Sequence, residues 1–420
     1  MSFLNDPVNF ISSWLQSLLT GIGAPKDVAS FLVNFLGAAL LATGAMVWCI
    51  FLIWYERKIA GRFQDRLGPN RVGPFGLIQP IADMMKIFTK EYITPDGADK
   101  VAYNLAPILS VASVLLMWAV VPFAVRTYGV DLSVGALYVI AVGAIGELAI
   151  IMAGWSSNNK YALMGAFRVV AQLISYEVPM ILSLLVPVLL ARSMGLNKIV
   201  EVQGGASGGV WFVFLAPAAA LVFFICSIAE VGRAPFDLIE AESEIVAGFN
   251  IEYSGLKFGM FFVGEFLHAF TVALIFSTLF LGGWQGPGAD QSPILGFIYF
   301  SVKTALVHFL SLTLRFSLPC FRIDQMMDLN WKVLTPLSLV LVGATALADK
   351  LMTGTPSFIR MVVFLVMNVA ILAIALEIMR RRGSQSRQAV SAAHAAVAAP
   401  AAAVVPAAVA GLPGHDSPRA

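Results

Sequence analysis

The chain has 420 residues, 59% of them hydrophobic and only 12% charged, with a mean hydropathy of +0.82. Soluble domains average about 25% charged residues, so this balance excludes an ordinary soluble domain and points to a chain that lives in lipid. The net charge of +2 marks no basic face for nucleic acid, and Cys49, Cys226 and Cys320 stand far apart with no CxxC or Cys/His spacing suited to a metal.

Residues 1–28 lack the basic start and unbroken apolar core of a signal peptide. Phe10, Ile11, Trp14, Leu15, Leu18, Leu19 and Ile22 fall on one helical stripe, which predicts an amphipathic helix lying in the membrane interface. The run 29–55 is then long enough to cross a bilayer, which takes about 20 apolar residues. Further spans are expected over 101–125, 134–155, 163–191, 211–230, 257–282, 295–316, 332–350 and 357–379. Backbone groups in lipid must pair internally, and the short alternating segments of a barrel are missing. The fold class expected is therefore all-α, a polytopic bundle of about nine transmembrane helices plus amphipathic interfacial helices. Residues 29–350 form an eight-span core, 351–382 a ninth helix, and 383–420 an Ala/Pro-rich tail expected to lack structure.

After the first span comes "ERKIAGRFQDRLGPNRVGP", residues 56–74. Arg57, Lys58, Arg62, Arg66 and Arg71 are crowded there beside Glu56 and Asp65. Lys86, Lys90, Lys100, Lys160, Arg233 and Arg322 fall on the same side of the alternating loops, as does Arg380–Arg382 after the ninth span. Cytoplasmic loops collect Lys and Arg, so the N-terminus is expected outside and the C-terminus inside. Charge sign alone does not account for the glycines, prolines, Gln64, Asn70 and Gln79 interleaved with the arginines. A docking surface with the polar mouth of a cavity for an amphiphile does. The following stretch, 76–91, places Leu77, Ile78, Ile81, Met84, Met85 and Phe88 on one face, with Gln79, Asp83, Lys86 and Lys90 largely off it, a second interfacial helix. Together these form a cytoplasmic loop, 56–100.

Several charges fall where charges are costly. Glu147, Glu177, Glu265 and Lys303 lie inside expected spans, and Glu230 closes the fifth. A mid-membrane charge costs at least about 2.5–3.5 kcal/mol on insertion scales, which makes each a functional candidate. His268, three residues after Glu265, shares its face, and Pro179 follows Glu177 by two. The alternative is structural, each acid paired with a helix-end amide or with Lys303. The loop 230–256 adds Asp237, Glu240, Glu242, Glu244 and Glu252 against the single cation Arg233, interleaved with Phe236, Leu238, Ile239, Ile245, Val246 and Phe249. Such a loop is expected to fold into the membrane edge, carrying its carboxylates with it. Acids near their titration point and linked by water form a proton relay.

Three stretches carry a resemblance: 56–91 through "GLIQPIADMMKIFTKE", "APFDLIEAESEIVAGFNIEYSG" (234–255) and "LRFSLPCFRIDQMMDLNWKVLTPLSL" (314–339). They resemble the first and third cytoplasmic loops, and the segment before the eighth span, of the H-subunit family of NADH:quinone oxidoreductase, respiratory complex I. The similarity runs over roughly residues 30 to 350. It implies a subunit of an oxidoreductase in a bacterial inner membrane, at the junction of the soluble and proton-pumping arms, with no electron carrier and no catalytic or metal-binding residue of its own. Quinone, ubiquinone or menaquinone, is the implied substrate; FMN and iron–sulfur clusters would belong to soluble partner subunits. Small membrane subunits and antiporter-like subunits would be its other partners.

Carried over by motif, Glu56, Arg57, Arg62, Arg66, Asp83, Phe249 and Tyr253 would line the quinone chamber. Glu230, Asp237, Glu240, Glu242 and Glu244 would form an acidic funnel, continued into the membrane by Glu147, Glu177 and Glu265. The resemblance gives no role to the ninth span, the tail, His268 or Lys303. A corresponding subunit of a membrane-bound hydrogenase or formate-linked complex is a related reading, which "FGLIQPIAD" and "GFNIEY" disfavour. A stand-alone secondary transporter is a third, and the paired repeats it should show are not found.

Overall fold

A computed structural model describes residues 7–204, 209–238, 248–352 and 357–402. Among these every regular element is helical, with one isolated bridge, Ala124 to Thr127, and no strand. Among the described residues eight helices are long and apolar enough to cross a membrane.

The two stretches expected to form amphipathic helices are the helices α1 (Pro7–Gly21) and α3 (Gln79–Thr89), the latter preceded by a 3-10 turn, Pro74–Gly76. The spans are α2 (Lys26–Phe63), α4 (Lys100–Trp118), α5 (Gly135–Ser156), α6 (Lys160–Ala191), α10 (Gly255–Phe280), α11 (Pro293–Ser317), the Ile323–Leu351 run and α14 (Ser357–Ala402). The apolar windows of α6 and α10 are 61% buried against 17% for α2, so α6 and α10 are the inner posts and α2 turns Phe31, Phe35, Leu40 and Val47 outward. Exposed side chains of this kind suit lipid, which solvates them as well as a core would.

Helix ends follow from local chemistry. Asp99 caps α4 by accepting from Val101 N at 3.1 Å, and Asn159 caps α6 by accepting from Tyr161 N at 2.9 Å. Such caps satisfy amides that the first turn leaves free. Gly232 stops the fifth span in the left-handed conformation that glycine tolerates. Two short helices, α7 (Leu196–Val202) and α8 (Phe212–Leu215), lie outside the long spans. α6 stays helical through Pro179 and Pro187.

Two expected spans differ in detail. The fifth is interrupted: α8 ends at Leu215, Ala216 leaves helical geometry, and α9 (Pro217–Val231) begins with a proline that has no N–H to continue the ladder. The eighth starts earlier than expected, as α12 (Ile323–Leu329), a π turn over Asn330–Leu334 and α13 (Thr335–Leu351). Polar side chains of α6 fasten both. Gln172 Nε2 donates to the Ala229 and Phe236 carbonyls at 2.7 and 2.9 Å, and Tyr176 donates to the Met326 carbonyl at 2.9 Å. Asn330 Nδ2 returns a bond to the Ser175 carbonyl at 2.6 Å.

Two units are distinguished, 1–369 and 370–420. The first holds α1 to α13 and the start of α14. In the second, where an unstructured tail is expected from residue 383, the helix reaches Ala402. The run "SAAHAAVAA" is rich in alanine, the best helix former.

Candidate functional site

The first loop is built around the end of α2. Trp54 Nε1 donates to the Phe75 carbonyl at 3.1 Å, drawing the Gly/Pro stretch back over the helix. Gly76 sits at φ +77°, and a Cβ there would collide with the Pro69 carbonyl. The close turn thus requires a glycine. Arg57 on α2 forms an ion pair with Asp83 on α3, and Gln79 Nε2 reaches the other Asp83 oxygen at 3.5 Å. The pair is half-exposed. Arg62, Arg66 and Arg71 are exposed, with Arg66 Nε donating to Gln64 Oε1 at 2.6 Å. Beside them Ile81, Met84, Met85 and Phe88 of α3 are also exposed. Fixed cations next to an open apolar helix face suit a molecule with a polar head and a greasy tail.

Glu56, one residue before Arg57, turns inward. Its carboxylate takes Arg233 Nη1 at 2.5 Å on one oxygen and Arg315 on the other. Arg233 Nε also donates to Glu265 Oε1 at 3.1 Å, and its guanidinium lies 4.4 Å from the Phe266 ring centroid. The side chains of Arg233, Glu56 and Glu265 are 6, 8 and 15% exposed. Two acids and two arginines thus form a charge-balanced, largely buried knot tying α2, the second residue after α9, α10 and α11. Burial pulls the Arg233 guanidinium down, but Glu56 and Glu265 outweigh it and leave it above its ordinary value, so the cation is permanent. Arg233 Nη2 has no hydrogen-bond partner among the described residues.

Glu265 faces two ways. It also lines a cavity of 80 Å³ with Glu147, Glu230, His268, Phe249 and Asn250. His268 Nε2 stands 3.9 Å from Glu230 Oε1, so the expected neighbour of Glu265 is placed against Glu230 instead. Glu177 is half-buried and does not line the cavity. A cavity this size, into which three carboxylates open, has room for several waters, the medium a proton needs between carboxylates.

The third loop packs against this assembly. Phe249 and Tyr253 are buried, both meeting Phe261 edge-on. Tyr253 stacks on Tyr103 with centroids 4.2 Å apart and hydrogen-bonds Ser156 at 3.4 Å. Burial pushes the Tyr253 phenol up to about 12, slightly relieved by Ser156. Gly248 abuts α6, where a Cβ on Gly165 would lie 2.7 Å from its carbonyl carbon. Asp237 is half-buried beside Cys320; burial raises that thiol and the Asp237 charge raises it further. Glu240, Glu242 and Glu244 lie outside the described residues.

Other charges have structural partners. Lys303 donates to the carbonyls of Leu281, Gly283 and Gln285 at 2.7, 2.9 and 2.7 Å, closing the turn after α10, and pairs with no acid in the described residues. Lys257, also buried, sits between the Tyr92 and Tyr103 rings at 4.1 and 4.2 Å and donates to Thr94 Oγ1 at 3.0 Å. Arg315 and Lys257 escaped the sequence reading. Arg315 stands in the last turn of a span, where a cation reads as positive-inside bias. Its partner is 259 residues away.

The chain matches the NADH dehydrogenase family over residues 36–346. It is 47% identical over 320 residues to the H subunit of NADH-quinone oxidoreductase from Dehalococcoides mccartyi (strain CBDB1), covering 76% of this chain and 88% of the relative. It is 46% identical to a Geobacter sulfurreducens H subunit of the same enzyme, numbered 2 (76% and 96%). Against the H subunit of Bacillus thuringiensis subsp. konkukian the identity is 41% (79% and 98%). Matched through nearly the whole length of such relatives, this multi-pass membrane chain belongs to the NADH dehydrogenase family, in the branch formed by the H subunits of NADH-quinone oxidoreductase.

Proposed function

We propose that the chain walls the quinone chamber of a proton-translocating NADH:quinone oxidoreductase and couples quinone reduction to proton movement. The observation that carries this is a run of ionisable side chains. It starts at the half-exposed Arg57–Asp83 pair, passes through Glu56, Arg233 and Glu265, and ends in the cavity with Glu147, Glu230 and His268. The α3 face would receive the quinone tail, and Arg57, Arg62, Arg66 and Asp83 would surround its path. Phe249 and Tyr253 would brace the chamber from behind. Glu56 would connect chamber to interior, and Glu177, Asp237, Glu240, Glu242 and Glu244 would extend the acid line.

Reduction of a quinone by two electrons takes up two protons. A carboxylate that gives up a proton becomes an anion, and in a low-dielectric interior that charge acts strongly on its neighbours. Glu265, shared by the knot and the cavity, would pass such a change to the cavity acids. FMN and iron–sulfur clusters of soluble partner subunits would supply the electrons. Small membrane subunits and antiporter-like subunits would receive the protonic signal. The setting is a bacterial inner membrane, N-terminus outside and C-terminus cytoplasmic. The purified chain alone would neither oxidise NADH nor reduce quinone.

The test is Asp83→Asn in the assembled complex. Quinone reduction should fall while NADH oxidation by an artificial acceptor stays at the native rate. Loss of both in parallel would show that Asp83 serves assembly and would remove it from the quinone path.

A further inference from the structure

The last helix is one of the two stretches that the family match, over residues 36–346, leaves unaccounted for. That match ends at residue 346, and relatives covered over 88–98% of their own length account for only 76–79% of this chain. Yet the start of α14 is built to dock. Arg360, Phe364 and Asn368 are spaced i, i+4, i+8, one helical face. Arg360 pairs with Asp349 of α13, which also takes Arg192 at the end of α6 at 3.2 Å. Phe364 and Asn368 are both 0% exposed.

Asn368 commits both amide hydrogens to backbone. Nδ2 donates to the Phe364 carbonyl at 2.9 Å and to the Leu215 carbonyl at 3.2 Å. Its Oδ1 has no partner among the described residues, so its contribution is as a donor. Leu215 is the last residue of α8. Ala216 (φ −132°, ψ 61°) interrupts the helical run that would bring the Ala219 N–H onto the Leu215 carbonyl. Within a bilayer no water would replace the missing donor. The fifth span also lacks length: α9 has 15 residues, about 22 Å at 1.5 Å per residue, against a hydrocarbon layer of about 30 Å. Its height is therefore set by what grips its ends. Gln172 grips the far end through the Ala229 carbonyl at 2.7 Å, next to Glu230.

We infer that the ninth span is a positioning element for the fifth: Asn368 supplies the donor missing at the α8–α9 break and so fixes where α9 sits. The seating follows from this geometry alone; its bearing on Glu230 and coupling rests on the proposed function.

Two native thiols provide the test in the assembled complex. Cys226 lies on α9 and Cys49 on α2, both buried, while Cys320 is exposed and serves as the labelling control. A membrane-permeant maleimide should label Cys226 relative to Cys49 several-fold more in Asn368→Leu and Asn368→Ser than in the native complex. Asn368→Gln, which keeps a donor, should retain the native ratio. The ratio corrects for general loosening of either variant. An unchanged ratio in the Leu and Ser variants would overturn the inference, and so would a Gln ratio as high as the Leu one. A raised ratio with native proton translocation per quinone reduced would uphold the seating and remove Glu230 from the coupling line.

Discussion

Arg233→Met is the sharpest probe of the buried knot. The side chain is replaced by a shorter, unbranched and uncharged one, and two carboxylates lose a fixed cation. The lost contacts are two charge-assisted hydrogen bonds, to Glu56 at 2.5 Å and Glu265 at 3.1 Å. Such bonds are worth about 1.5–3 kcal/mol each, or about 3–6 kcal/mol together. Removing one partner from a buried ion pair costs about 3–5 kcal/mol by an independent route. Glu56 keeps Arg315, which favours the lower half of the range. A loss near 4 kcal/mol is about a thousandfold in an equilibrium constant. Hydrogen–deuterium exchange on the assembled complex reads it directly: amides of 229–238 should lose protection by about that factor. Adding Glu265→Gln should restore part of the protection, because the orphaned charge is removed. If Arg233→Met changed protection by less than about tenfold, equivalent to 1.4 kcal/mol, the knot would not be holding the loop. Strict additivity of the two substitutions would refute the pairing.

Other substitutions test the scaffold. Gly165→Val places a branched side chain against the Gly248 carbonyl and should displace the third loop, lowering the yield of assembled complex on native gels. Gly76→Ala combines a left-handed φ with a collision at Pro69; it should slow quinone reduction while NADH oxidation by an artificial acceptor persists. Lys257→Met should loosen the 92–94 segment from α4, seen as faster proteolysis after Lys90 or Lys100, with loss of about 1–3 kcal/mol from two cation–π contacts and a hydrogen bond.

The long spans were legible because lipid imposes an unambiguous pattern: a run such as 29–55 has no polar alternative. α1 and α3 were equally plain from their one-sided stripes. The break at Ala216 was not, since Pro217 in an apolar run reads as tolerable until the neighbour that repairs it is known. The start of the eighth span at Ile323 was hidden by Asp324 and Asp328, which a hydropathy scan excludes.

For the site, residue type was readable and pairing was not. Glu147, Glu230 and Glu265 announce themselves as charges in oil, but that they share one cavity depends on three helices meeting. Arg233 was counted only for its sign, and its grip on Glu56 joins residues 177 apart. Lys303 shows the reverse: a cation in a span that suggested a counter-ion and proved to hold three carbonyls. Spacing along one helix relates His268 to Glu265, whereas a facing helix brings it to Glu230.

The knot also dictates an order of events during synthesis. Glu56 is made 177 residues before Arg233 and 259 before Arg315. Until the ribosome has delivered Arg233, the first span must wait with Glu56 lacking both arginines, and the second arginine comes only with α11. The translation product therefore completes this knot late, with its seventh span, and a chain halted before Arg233 would be left with its earliest helix unlocked.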